Sequence, residues 1–505
     1  MSRFSSWFFH RFLPWVVLTH ALTFIIFWLT NSLFYASSND YLAKMLGKRL
    51  DYVSLLLWVS AFIALWSGLR GVLGRLGRTH KLAVVTAWVY GFVSVLYVVF
   101  FYGSFWLLFR ESPVQLVRLG QLIGYFRLIL DTLLLLGLAL LGGFWLSIFL
   151  ARRQRAGKRV HGGLWVMCVV GYLILWSLPV IFPPGSVIRD RLPDKPLIIA
   201  HRGASMLAPE NTLAAANLAA QIGVAGLETD IQVSQDGQLF LMHDDTLART
   251  TDVASVFPGR QDEPAGDFTV AEVRQLNAGE WFVAQDPFGT IRRGLVTPEQ
   301  VQEYRQQTVP LLSAWLDIVR TDNLVFIFDL KQPPKDNPFA STIFALTLSQ
   351  LQKSVNGSLV WFLVNPSQLR MLRQVSPEIV PAYGVDYRSP PAATRLQQEG
   401  YLVVNAEYGL DRWWIRNFEQ AGLWVNLYTV DEPWQFSRLW LLQVNSVTTS
   451  NVQVMADLSR PTFSLYWSQY LLVWGLVGLL GLGVGVGLVL PIIKSHRVTR
   501  PLHKS

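Results

Sequence analysis

Two kinds of hydrophobic pattern alternate along the chain. Six apolar runs, at 13–35, 52–73, 82–108, 128–150, 163–182 and 467–493, are long enough to span a bilayer. Between the fifth and the sixth, the pattern changes to short apolar runs separated by helical stretches. The candidate strands are 196–200, 225–233, 324–330, 359–364, 379–384, 401–405, 424–429 and 445–449. Helical periodicity fills most of the gaps, at 211–222, 311–320, 339–353, 366–374 and 410–420. Eight strand–helix units in this span predict a (β/α)8 TIM barrel, an α/β fold, attached to a six-helix α-helical transmembrane domain. The segment 238–310 breaks the rhythm. It is rich in Gly, Pro and Asp and reads as an insertion after the second strand, with its body at 245–310, lying over the barrel mouth. Gln235-Asp236-Gly237 is a turn between alternating runs, so the insertion opens as a hairpin. Pro183-Pro184-Gly185 ends the fifth apolar run and starts a linker. The expected organisation is therefore five transmembrane helices over 1–185, the barrel over 186–458, and a last transmembrane helix with its tail over 459–505.

Composition agrees with a membrane protein: 51% of the 505 residues are hydrophobic and only 15% are charged. The net charge of +9 would point to a nucleic-acid partner if it were spread over the whole chain. It is not. Residues 196–458 hold 18 Lys+Arg against 28 Asp+Glu, and the remainder holds 25 against 6. The basic excess thus flanks the apolar runs, and the barrel is acidic, which argues against nucleic acid. Lys and Arg in the short connections place 15 on the side of both termini and five on the other. Both termini are expected in the cytoplasm and the barrel outside it. The single cysteine, Cys168, excludes an intrachain disulfide.

Within the apolar runs, Arg127 and Asp131 stand four residues apart and can pair on one helix face. The last run carries Gly475, Gly478, Gly481, Gly483, Gly485 and Gly487, with two G-x-x-x-G spacings. Close packing on neighbouring helices is the first reading of these, and a homodimer through the transmembrane helices is the second.

Chemistry concentrates at 197–258. Of eight histidines, only His201 and His243 lie between 196 and 458, and each ends an apolar strand. Active sites of such barrels lie at the C-terminal ends of the strands. His201 ends the first, Glu228 and Asp230 lie late in the second, and Asp329 and Lys331 end the third. Alternation puts Glu228 with Asp230, and Asp329 with Lys331, on common faces. Three carboxylates brought to one point need a cation, and all-oxygen ligands favour Ca²⁺ or Mg²⁺. Arg202 and Lys331 are suited to phosphate oxygens, and two imidazoles to proton transfer. The set reads as a site for phosphoryl transfer beside one divalent cation.

At these residues the chain resembles the glycerophosphodiester phosphodiesterase family. The resemblance rests on His201-Arg202-Gly203, the PENT run of 209–212, Glu228-x-Asp230 and His243-Asp244, in this order. It is closer still to the animal six-transmembrane branch, which holds this domain outside the cell between a fifth and a sixth span. The runs 241–258, 276–282, 328–334 and 444–451 carry that likeness. The resemblance implies His201 and His243 as the acid/base pair, and Glu228, Asp230 and Asp329 as metal ligands. It implies Arg202, Lys331, Glu210 and Tyr428 as substrate contacts. The soluble family has Glu where Asp329 stands, Trp where Tyr428 stands, and Thr-Asp where Thr449-Ser450 stand, which bears on the substrate. The implied reaction is attack on phosphorus by the neighbouring glycerol hydroxyl through a cyclic phosphate, then hydrolysis.

The expected substrate is a glycerophosphodiester or a lipid-linked relative, such as a lysophospholipid, glycerophosphoinositol or a glycosylphosphatidylinositol anchor, with membrane lipids as partners. A non-catalytic lipid- or phosphate-binding receptor on the same barrel is the alternative. Its weakness is that binding alone does not need a pair of histidines.

Overall fold

The computed structural model describes residues 51–73, 114–155 and 162–498, with isolated positions between 17 and 103. The predicted spans at 13–35 and 82–108 lie almost wholly outside the described residues. The chain divides into two compact units. One contains residues 197–432 and 446–456, and the other contains 118–196, 433–445 and the stretch from 457 onward.

The first unit is built on a closed sheet. Its strands are β1 (Leu197–His201), β2 (Gly226–Val233), β3 (Leu239–Leu241), β4 (Val325–Leu330) and β5 (Val360–Leu363). They continue with β6 (Val380–Val385), β7 (Val403–Glu407), β8 (Trp424–Tyr428) and β9 (Ser446–Thr449). Parallel pairing runs from β1 through β9, β8, β7, β6, β5 and β4 to β2, and β1 pairs with β2 to close an eight-stranded barrel. All eight predicted strands are present. A parallel strand covered on both faces must be apolar throughout, and β4, reading Val-Phe-Ile-Phe before Asp329, meets that demand. Ile199, Ile327, Trp361, Ala382 and Val403 fill the interior. Above the apolar layer lies a satisfied polar one. Asn426 Nδ2 donates to Asn405 Oδ1 at 2.8 Å and to Thr448 Oγ1 at 2.9 Å, and Ser446 Oγ donates to Asn426 Oδ1 at 2.8 Å. At Gly226 a Cβ would sit 2.6 Å from the Val325 carbonyl oxygen, so only glycine lets β2 close on β4.

The insertion is a folded module rather than a loop. β3 pairs antiparallel with β2, with Ile231 opposite Leu241. Four short helices follow, at Val253–Val256, Val270–Val273, Glu280–Gln285 and Pro298–Tyr304. Thr269 with Glu272, and Thr297 with Gln300, form capping boxes that start two of them. Phe240, Leu247, Val253, Phe268, Val273 and Leu276 make a core of their own. The Arg260 guanidinium lies 4.1 Å from the Phe268 ring centroid and pairs with Glu263 and Glu272.

The second unit is helical. Two of its helices are long and apolar enough to cross a membrane by length and composition: Arg127–Arg153, with mean hydropathy 2.4, and Trp467–Leu490, with 2.2. A third, Gly162–Ile181, packs on the last one. The packing is made by aromatic side chains bonded to backbone. Trp176 Nε1 donates to the Trp474 carbonyl at 3.1 Å, and Trp474 Nε1 returns a bond to the Trp176 carbonyl at 2.8 Å. Tyr470 donates its hydroxyl to the Pro179 carbonyl at 2.8 Å, a group in the last turn of helix Gly162–Ile181 whose helical partner four residues on, Pro183, has no N–H to give. Two glycines of the last helix serve this contact. A Cβ at Gly478 would sit 2.4 Å from Trp176 Nε1, and one at Gly481 would sit 2.6 Å from the Tyr172 hydroxyl. Arg127 and Asp131 form the expected pair, at 3.0 Å. Helix Pro433–Leu441, which follows β8 in the chain, belongs to this unit, where Trp434 packs with Leu122 and Tyr125.

Candidate active site

The first strand ends in a tight left-handed turn. Arg202 has φ 54 and Gly203 φ 80, and a Cβ on Gly203 would sit 2.6 Å from the Ala215 backbone. The sequence therefore needs glycine at 203. The turn points the Arg202 backbone N–H at Glu228 Oε2, 3.1 Å away, and sets His201 in register with Glu228. His201 Nε2 lies 3.9 Å from Glu228 Oε2.

The PENT run turns out to be a clamp. Asn211, also at positive φ, donates from Nδ2 to Asp230 Oδ2 at 3.1 Å and accepts from Thr229 Oγ1 at 2.7 Å. Thr212 caps helix Leu213–Ile222 by accepting from the Ala215 N–H. Glu210 accepts from Arg202 Nη1 at 2.9 Å and from both terminal nitrogens of Arg249, at 3.0 and 2.7 Å. Burial pushes the Glu210 carboxyl up, but Arg249 and Arg202 outweigh it and hold it below its ordinary range.

His243 follows β3 and pairs through Nδ1 with Asp244 Oδ1 at 2.7 Å. Arg249 grips the same carboxylate, with Nε 2.5 Å from Oδ2 and Nη2 2.9 Å from Oδ1. Burial raises the Asp244 carboxyl, yet the bonds from His243 and Arg249 leave it far below the usual carboxylate range. Gln232 Nε2, from β2, donates to the Asp244 carbonyl at 2.6 Å and ties this loop to the barrel. Arg249 thus joins the His243 side of the site to the Arg202 side.

Burial pushes His201 down to about 3, with Arg202 and the charge of His243 adding to the effect. Its other ring nitrogen, Nδ1, lies 2.9 Å from Ser450 Oγ. Asp431 in turn positions Ser450, accepting from its backbone N–H at 2.7 Å and from Thr449 Oγ1 at 3.1 Å. Ser450, Asp431, Arg249 and Asn211 were not among the predicted site residues. Arg249 and Asn211 lie within the motif runs that single out the site, and Ser450 lies in the closing Thr-Ser pair.

The predicted cations are engaged differently from expectation. Lys331 Nζ sits between Asp230 Oδ1 at 3.0 Å and Asp329 Oδ2 at 2.7 Å, and Arg202 Nε lies 3.2 Å from Asp230 Oδ2. Both are the expected phosphate contacts, and each also pairs with carboxylates here. Among the described residues no group of three His, Cys, Asp or Glu side chains is arranged to hold a metal. The donor set nevertheless suits a divalent cation. Glu228 is pushed up to about 8 by burial, then by Asp230 and Asp329, a surplus of negative potential that a cation would relieve. Tyr428, in register with Glu407 at the end of β8, is half-buried on the same rim, and burial raises its phenol.

A family model described as "Glycerophosphoryl diester phosphodiesterase family" matches residues 201–454. The chain is 35% identical over 309 residues to the glycerophosphoinositol inositolphosphodiesterase of Mus musculus, covering 60% of this chain and 55% of that protein. It is 35% identical over 326 residues to glycerophosphodiester phosphodiesterase domain-containing protein 5 of Gallus gallus, covering 64% and 53%. The chain spans about half the length of the curated relatives it matches. Among solved structures it is similar to an Oleispira antarctica phosphodiesterase in complex with the product sn-glycerol-3-phosphate. That likeness has 26% identity and a TM-score of 0.43, over 52% of this chain and 95% of that one.

Proposed function

Because this chain belongs to the glycerophosphoryl diester phosphodiesterase family, we propose that it is a membrane-anchored, metal-dependent phosphodiesterase. Its substrates are glycerophosphodiesters or lipid-linked relatives, cleaved to an alcohol and a glycerol phosphate or by the reverse split. The observation that carries the reading is that His201 ends β1 and His243 follows β3, the strand paired to β2, each ring held at Nδ1 by its own partner, Ser450 or Asp244. Binding alone would need only the cations.

In this reading one imidazole takes the proton of the attacking glycerol hydroxyl, and the other gives a proton to the departing alcohol oxygen. Hydrolysis of the cyclic phosphate then runs the same two transfers in reverse. Glu228, Asp230 and Asp329 would hold the divalent cation, Ca²⁺ or Mg²⁺, which supplies charge neutralisation for the phosphoryl oxygens when bound. Arg202 and Glu210 brace the carboxylates and the Arg249 link, and Lys331 keeps Asp230 and Asp329 together between turnovers.

Six spans, both termini in the cytoplasm and the barrel outside it make up the proposed topology. The two long apolar helices and the distribution of Lys and Arg favour it. The division at 185 and 458 follows from the same reading.

Purified full-length protein, assayed on glycerophosphocholine, glycerophosphoinositol and lysophospholipids with Ca²⁺, Mg²⁺ or chelator, tests the proposal. Turnover that needs the cation and is lost in His201→Ala supports it. No turnover on any of these, with His201→Ala indistinguishable from wild type, would sink it, and tight binding without product would favour the receptor.

A further inference from the structure

The barrel mouth extends beyond the half that gathers histidines and carboxylates. Along β7, Val403, Asn405 and Glu407 share the inward face. Val403 lies in the interior core, and Asn405 accepts from Asn426 inside the barrel. Glu407 is the last inward residue of its strand and is in register with Tyr428. β2 is second and β7 sixth in the order around the eight strands, so Glu407 faces Glu228 from the opposite wall.

Three features mark this wall as open to a ligand. The Glu407 carboxylate is half-buried, and the charges of Arg388 and Asp386 reach it from beside the mouth, the first opposing burial and the second adding to it. Burial raises it above the ordinary carboxylate range, with Asp386 adding to the effect. On the adjacent strand, Gly384 is in register with Asn405, and a Cβ added there would meet nothing within 4 Å. Tyr428 supplies a half-buried ring on the other side.

We propose that Glu407 is a specificity-determining residue that accepts hydrogen bonds from the departing alcohol of the substrate. The space over Gly384 would hold that alcohol, and the Tyr428 ring would form its wall. The inference rests on the phosphodiesterase reading. A glycerol whose hydroxyl attacks phosphorus must stay folded against it, so the substituent that reaches across the mouth is the one that leaves. A half-buried carboxylate selects head groups that carry hydroxyl or ammonium hydrogens over those that carry none.

Steady-state kinetics of wild type, Glu407→Gln and Glu407→Leu on three substrates tests this. Glycerophosphoinositol offers hydroxyl hydrogens, glycerophosphoethanolamine offers ammonium hydrogens, and glycerophosphocholine offers neither in its head group. Glu407→Leu is expected to lower kcat/KM about tenfold on the first two relative to the third, chiefly through KM. Glu407→Gln keeps a neutral acceptor. Loss on both cationic substrates, glycerophosphoethanolamine and glycerophosphocholine, in that variant identifies charge as what is read and overturns recognition by hydrogen bonds, whereas loss on none of the three supports it. Gly384→Val, which fills the open space without replacing a contact, is expected to raise KM most for the bulky inositol. Equal losses on all three substrates in Glu407→Leu, or no loss on any, overturn the inference while the wild type remains an active phosphodiesterase. A wild type inert on all three overturns both readings together.

Discussion

Ser450 Oγ lies 2.9 Å from Nδ1 of His201, across 249 positions of sequence. The hydroxyl orients the ring without contributing charge, and the backbone of Ser450 is itself fixed by Asp431. Ser450→Ala should therefore lower kcat about fivefold to tenfold, the worth of one neutral hydrogen bond, and leave KM nearly unchanged. A change in KM alone, read from initial rates, would assign Ser450 to substrate binding instead.

Lys331 bridges Asp230 and Asp329, and its removal leaves two carboxylates facing each other without their shared cation. Lys331→Met should reduce kcat/KM about a hundredfold or more. It should also lower the melting temperature in chelator, and added Ca²⁺ or Mg²⁺ should restore part of that loss. Differential scanning fluorimetry with and without the cation gives the readout.

Arg249 holds Asp244 and Glu210 with a planar fork, two bonds to each. A lysine has the charge but not the fork. Arg249→Lys should accordingly lose at least about tenfold in kcat, nearly as much as Arg249→Met. Recovery of activity in the lysine variant would show that charge alone suffices.

Glu419 is a test of stability away from the site. Its Oε1 is buried without a hydrogen-bond partner, and burial, opposed by Arg416, pushes the carboxyl up to about 7 from an ordinary 4.5. The folded state thus holds a proton that the unfolded chain releases. The favourable contribution is complete below 4.5 and is lost as pH rises through 7. Glu419→Gln should raise the melting temperature at pH 8 by about 2 °C or more and change little near pH 4.5. Equal shifts at both pH values would rule out titration as the cause.

What the sequence disclosed follows the physics of burial. β4 is legible because its first four residues, covered on both faces, are apolar until the strand reaches the mouth at Asp329. β8 is legible although Asn426 interrupts it, that amide being satisfied by Asn405, Thr448 and Ser446. Helix Ala393–Glu399 is not, being short, largely polar and preceded by Pro390-Pro391. The insertion hid its order for a similar reason. Helices of four to seven residues are too short to show a period, although their apolar residues build a core. At the site, His201, Glu228 and Asp230 announce themselves by residue type at strand ends. Lys331 does so only in part, because a cation at a strand end does not reveal whether it will meet phosphate or carboxylate. Ser450 is marked only by its place in the closing Thr449-Ser450 pair, and its contact with His201 exists only once the barrel has closed.

Closure has a consequence for biosynthesis. β1 has β2 on one side and β9 on the other, so His201 sits at the seam where the earliest and the latest strands of the barrel meet. A nascent polypeptide still lacking β9 leaves that seam unsealed, with one ring nitrogen of His201 unsupported. On the phosphodiesterase reading, a chain stalled on the ribosome before Ser450 would carry the strand-end carboxylates without the hydroxyl that meets His201.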